Sequence, residues 1–143
     1  MTIKWNSRFN VGHAAIDAEH KLLLTTINAL ETSLRHPEDK EPLLFFVDQL
    51  YEFSIAHFRY EEALQLKHLY PFREDNVKGH EQLVQDLEQI QNNIHQIAKK
   101  PTLSVTDIAE LHQHIKYLAN NWLMTHILKE DLRMKGFMGG GDG

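Results

Sequence analysis

Cysteine is absent from the chain. Its absence excludes disulfides, thiolate metal sites, iron–sulfur clusters and Cys-x-x-Cys-His haem attachment. Positive charge is scarce: 15 Lys and Arg stand against 20 Asp and Glu, a formal net charge of −5. With no basic run either, there is no electrostatic footprint for nucleic acid. Long apolar runs are missing too. None approaches the ~18 residues of a membrane span, and the opening MTIKWNSRFN lacks the apolar core of a secretory signal. No nucleic-acid partner, no membrane and a cytoplasmic location are the expectations. The composition is otherwise that of one ordinary globular domain, 42% hydrophobic and 24% charged, except for its ten histidines. Histidine is the commonest metal-ligating side chain, so their placement matters.

Apolar residues recur at three- and four-residue spacing in four segments, which predicts four amphipathic helices and no strand. The first spans about 17–36, with His20, Leu23, Leu24, Ile27, Leu30 and Leu34 on one stripe. The second spans about 42–67 and aligns Leu43, Phe46, Val47, Leu50, Phe53, His57, Glu61 and Leu64. The third, about 74–99, aligns Asn76, His80, Leu83, Val84, Leu87, Ile90, Ile94 and Ile97. The fourth starts near 104 and carries Ile108, Leu111, Ile115, Leu118, Trp122 and His126. HPEDKEP, LYPFRED and KKPTLSVTD punctuate them, with Pro42 suited to a first helical turn and Ser104 with Asp107 resembling a capping box. Connections this short imply antiparallel neighbours: an all-α, up-down-up-down four-helix bundle. Residues 1–16 hold Trp5 and Phe9 without helical period and read as an arm packed on the bundle. MKGFMGGGDG reads as a flexible tail or the start of a linker.

In an antiparallel pair, residues equally far from the connecting loop share a level. His20 and His57 each lie about 18 residues from the first loop, at ~1.5 Å per residue. Glu61 and His80 each lie about nine or ten residues from the second. His80 and His126 lie about 21 and about 24 residues from the third, a mismatch of roughly one turn. Asp131 follows His126 by five residues, about 140° around an ideal helix, so it reaches the same centre only if the helix end tightens or unwinds. A single histidine on an apolar stripe is ordinary core. Four imidazoles and two carboxylates buried at one level are not, because without compensation they cost several kcal/mol. Two divalent cations would compensate, and this donor set suits iron, zinc or manganese better than calcium. The other six histidines read as surface, rim or loop: His13, His36, His68, His95, His112 and His114, with His112 on an inward stripe but about 21 Å from His126 along the axis.

From Trp5 to about Met134 the chain resembles the hemerythrin family, and in particular bacterial hemerythrin domains. The resemblance rests on IDAEHK around His20, HFRYEE around His57 and Glu61, YPFREDNVKGH leading to His80, and WLMTHILKED containing His126 and Asp131. It implies a pair of iron ions inside the bundle, oxo- or hydroxo-bridged, with Glu61 and Asp131 as bridging carboxylates. His20 and His57 would serve one iron, His80 and His126 the other. The family's fifth histidine falls at Asn76. Three alternatives follow: Asn76 ligates weakly, a water fills the gap, or that iron has an extra open position. Leu23, Phe58, Trp122, Leu123 and Ile127 read as core by periodicity; the resemblance makes them the pocket around the oxygen site. Gly79 is explained only by close packing near the metal.

The resemblance further implies a diiron domain over 1–135, followed by a glycine-rich tail or linker over 136–143. Its function would be dioxygen binding rather than catalysis. A sensor reporting to a C-terminal signalling output domain or partner protein is the first expectation, since a missing imidazole favours ready oxidation. An oxygen carrier or store is the alternative, and a diiron oxidase or peroxidase another. Ferritin-like oxidases supply paired Glu-x-x-His motifs, of which this chain has none.

Overall fold

Two of the four helices, the first and the last, begin where a capping side chain accepts from a free backbone N–H group; the other two begin without such a cap. Helix α1 (Ala14–Ser33) starts earlier than the periodicity predicts, because the His13 ring accepts the Ile16 N–H at 3.3 Å. Helix α2 (Glu41–Lys67) has proline in its first turn. Helix α3 (Arg73–Ala98) follows a short turn. Helix α4 (Val105–Tyr117) carries a complete capping box: Ser104 accepts from the Asp107 N–H, and the Asp107 carboxylate accepts from the Ser104 N–H. This computed structural model describes residues 3–138, with the side chain of His126 excepted. Among the described residues there is no strand, and no helix is long and apolar enough to cross a membrane.

The last helix changes winding part-way. From Leu118 to Lys129 it becomes a π-helix, in which hydrogen bonds close at i→i+5, and a 3₁₀ turn at Leu132–Met134 follows. The Thr125 hydroxyl marks the wider turn by reaching the Asn120 carbonyl at 3.0 Å. Of the two distortions that the His126–Asp131 interval allows, the chain adopts the unwound one.

The four helices form the expected bundle, with α1 packed on α2, α2 on α3, and the π segment touching α1 and α3. Its main core includes Leu30, Leu50, Leu87, Ile94, Leu111 and Leu118, all fully buried. A smaller cluster of Val11, Ile16, Leu64, Tyr70, Met134 and Met138 closes the end where the arm and the C-terminal turn meet. The arm is tied down by Asn28, which exchanges two hydrogen bonds with the Ile3 backbone at 2.9 and 2.7 Å. Asp17 accepts from the Val11 and Gly12 N–H groups, across a turn that needs glycine at φ 91°. Leu69 ends α2 in the left-handed region (φ 53°), although its side chain is exposed. It completes a Schellman turn in which Tyr70 N–H donates to Gln65 O and Leu69 N–H to Leu66 O. Of the segment 136–143, residues 139–143 lie outside the described residues. Phe137 packs edge-on against Tyr70 and Met138 is buried.

Candidate metal centre

Four buried side chains from three helices converge at the arm end of the bundle. One ligating atom each from His20, His57, Glu61 and Asp131 lies within 4.8 Å of the others. Glu61 divides its oxygens. Oε2 faces His20 Nε2 at 3.2 Å and His57 Nε2 at 2.9 Å, while Oε1 faces His80 Nε2 at 3.1 Å. Asp131 also splits: Oδ2 meets His20 Nε2 at 2.9 Å, and Oδ1 accepts from Asn76 Nδ2 at 3.4 Å. The π winding up to Lys129 brings position 131 round toward the centre, where an ideal α-helix would leave it about 140° away. The His126 side chain lies outside the described residues.

Glu61 therefore spans from the His20 and His57 imidazoles to that of His80, and Asp131 from the His20 imidazole to the Asn76 amide. Both carboxylates turn two oxygens to different partners, as two neighbouring cations require. The nitrogens point to the same conclusion. His57 Nδ1 donates to Glu19 Oε1 at 2.6 Å, yet its Nε2 stands beside Glu61 without hydrogen-bond alignment. With Nδ1–H committed outward, Nε2 turns a lone pair toward carboxylate oxygen. A proton or a metal ion must occupy that interval, and the imidazole–carboxylate donor set suits a transition metal.

Residues 11–137 match the hemerythrin HHE cation-binding domain. The chain belongs to the hemerythrin family. It is similar to a hemerythrin-like protein of Naegleria gruberi, 29% identical over 134 residues, spanning 94% of this chain and 92% of that protein. Bacteriohemerythrins of Pseudomonas aeruginosa and Stenotrophomonas maltophilia are 23% and 22% identical, each alignment covering 89% of this chain and 75% of the relative.

In this hemerythrin-family chain the electrostatics of the metal-free state follow from burial and charge. Burial alone would push His57 down, but the Glu61 charge and the Glu19 bond outweigh it and raise it to about 10. His20 is likewise raised, burial being overcome by hydrogen bonds to Asp131 and Glu61. His80 is raised because Glu61 and Glu62 override burial. Glu61 is held well below the usual carboxylate range: burial opposes its charge, but His57 and then His20 and His80 stabilise it. Burial and the Glu61 charge push Asp131 up to about 7. The cluster thus holds protons where a cation would sit, and filling it with metal must release them.

Periodicity passes over Glu19 and Glu62. Glu62 bonds His80 Nδ1 at 2.7 Å, as Glu19 bonds His57, so each fixes an imidazole with Nε2 inward. Their only signal is adjacency in sequence to His20 and Glu61; as charged residues off the stripes they read as solvated. Gln65 is a further omission, fully buried and donating to Asn76 Oδ1 at 2.7 Å. Leu23, Phe58, Trp122, Leu123 and Ile127 are all buried in the adjoining core. Phe58 stacks on His80, centroids 4.1 Å apart, and Trp122 is anchored by its indole N–H to the Leu83 carbonyl at 2.9 Å. His13 lies outside the helices, one of the places expected of it, but it is completely buried because it caps α1. The expectation for Gly79 needs correction: a Cβ there would meet nothing within 4 Å, so close packing does not explain that glycine.

Proposed function

We propose that this chain is a non-heme diiron domain that binds dioxygen and serves as an oxygen or redox sensor. The observation that carries the reading is the convergence of His20, His57, Glu61 and Asp131 with Glu61 split between imidazole groups. These side chains, with His80 and His126, would hold two iron ions. Such a pair supplies electrons and an attachment point for dioxygen. The protein does the remainder. Glu19 and Glu62 orient imidazoles, while Leu23, Phe58, Trp122, Leu123 and Ile127 form a dry wall that excludes water from the reacting oxygen.

The sensor reading, over a carrier or an oxidase, rests on Asn76. Its amide donates to Asp131 in place of bringing another imidazole, which favours a readily oxidised pair. An output domain or partner protein in the cytoplasm would read that state. The test is anaerobic reconstitution with ferrous iron, followed by metal counting and absorption spectra in air. Two irons per chain and the spectrum of a coupled diferric pair are expected; one iron or none overturns the reading. A long-lived oxygenated spectrum in air would favour a carrier. Asn76→His should slow oxidation in air, and no slowing removes the sensor argument.

A further inference from the structure

A second approach to the cluster differs in chemistry from the wall formed by Phe58, Trp122 and Leu123. A cavity of about 280 Å³ opens between α3 and the end of the last helix, with Asp75, Asn76, Gly79, His80, Asp86 and Glu130 among its lining residues. Asn76 and His80 are buried, Gly79 is exposed, and the absent Cβ of Gly79 leaves open space. The cavity therefore connects the surface with the two α3 side chains nearest the cluster.

Asn76 offers no lone pair at that place. An amide ligates a cation through its oxygen, and the Asn76 oxygen is taken by Gln65 Nε2 at 2.7 Å. Its N–H side faces Asp131. Gln65 is itself constrained. Its Nε2 also reaches Met134 Sδ at 3.2 Å, and its backbone carbonyl accepts the Tyr70 N–H in the turn that stops α2. The turn of α3 preceding His80 thus supplies no donor, and the gap faces the cavity. Carboxylates of Asp75, Asp86 and Glu130 line the passage with no lysine or arginine among its lining residues, although Arg133 pairs with Glu130 from outside. Such a passage disfavours anions.

We propose that this cavity admits a second small, uncharged ligand to the metal centre, and that Gln65 is the positioning residue that keeps the way open by holding the Asn76 carbonyl turned aside. The inference rests on the diiron reading above and adds to it a separate port with its own selectivity. The probe is nitric oxide, titrated anaerobically into ferrous-loaded protein after its iron has been counted. Two equivalents per pair of irons are expected in the native chain, against one in Asn76→His. Gln65→Leu frees the Asn76 oxygen to turn inward and should weaken the second equivalent at least about tenfold. Gly79→Leu, which fills the passage, should slow its uptake. Azide, an anion of similar size, should stop at one equivalent.

A readout without metal tests the lock directly. In the metal-free protein the Gln65 side-chain amide protons, one of which is donated to the Asn76 oxygen, should be protected from solvent exchange, and Asn76→Leu should reduce that protection. Two irons with a single equivalent of nitric oxide in the native chain would overturn the second port while leaving the diiron reading intact. Unprotected Gln65 amide protons would overturn the role of Gln65. Fewer than two irons would overturn the diiron reading and this inference with it.

Discussion

The two ends of the bundle follow different rules. At the end holding the 34–40 and 99–104 loops, the core is aliphatic, with Leu30, Leu34, Leu43, Val47, Ile94, Ile97 and Leu111. Of the two helices starting there, α4 has a full capping box and α2 has proline in its first turn. At the arm end, four imidazole-bearing or acidic chains are buried together, the helix winds as a π-helix, and a non-glycine residue takes a left-handed turn. Local consistency marks the half that stabilises the fold, and its breakdown marks the half that does something else. Buried charge is a poor source of net stability, so only a ligand explains keeping so much of it in one place.

Removing Glu61 should break this contrast most sharply. Glu61→Leu takes the counter-charge from three histidines whose raised proton affinity depends on it. Loss of about 3–5 kcal/mol in denaturant melts of the metal-free protein is expected, together with loss of metal uptake. Leu111→Ala, at the other end, should cost about 2–5 kcal/mol through its cavity but leave metal uptake by the folded fraction unchanged. Equal effects of both substitutions on metal binding would erase the distinction.

Next in size are the outer carboxylates. Glu19→Gln and Glu62→Gln should each weaken metal affinity by about 10–100-fold, measured by competition with a chelator. Their melting curves without metal should change far less than that of Glu61→Leu.

The ends should also titrate in opposite directions. Raised histidines contribute stability that is complete below their unfolded value of 6.5 and is lost as pH climbs through the folded value, about 10 for His57. Asp131, raised from 3.8 to about 7, acts in the same sense over its own lower window. Glu61, being lowered, contributes above 4.5 and loses its share only toward acid. At the capped end, the Lys100 ion pair and the Ser104 backbone bond lower Asp107 from 3.8 to about 2. That contribution is present above 3.8 and vanishes as pH falls through about 2. Thermal melts of the metal-free protein should therefore show Tm declining from pH 6.5 to 10; a flat profile would contradict the site's charge arrangement. The smallest effects are local. Ser104→Ala should cost about 1 kcal/mol by unmaking the cap. Leu69→Gly should gain about 1 kcal/mol by relieving a left-handed leucine.

The bundle was legible because its signals repeat: stripes such as Leu23–Leu24–Ile27–Leu30 recur over many turns, and Pro42, Ser104 and Asp107 mark helix starts by local chemistry. The level of the site was legible as well, since His20, His57, Glu61 and His80 stand at matched distances from their loops. The five-residue interval to Asp131 demanded a distortion without specifying which. Hydrogen bonds decide between tightening and unwinding, and no residue type encodes that choice alone. Glu19, Glu62 and Gln65 were not legible, because their roles depend on which imidazole or amide the fold sets beside them. His112 was misplaced by one position on its stripe: Leu111 faces the core and His112 is exposed.

The placement of the chain's two tryptophans gives the molecule its own optical gauge. Trp122 is sealed in the core, 6.3 Å from the Phe58 ring that lies against His80, whereas Trp5 sits on the arm beside Phe9 and beneath Lys21. Iron entering the cluster should quench the first far more than the second. Emission from the unmodified protein would then report occupancy of the centre, with the arm supplying the reference signal.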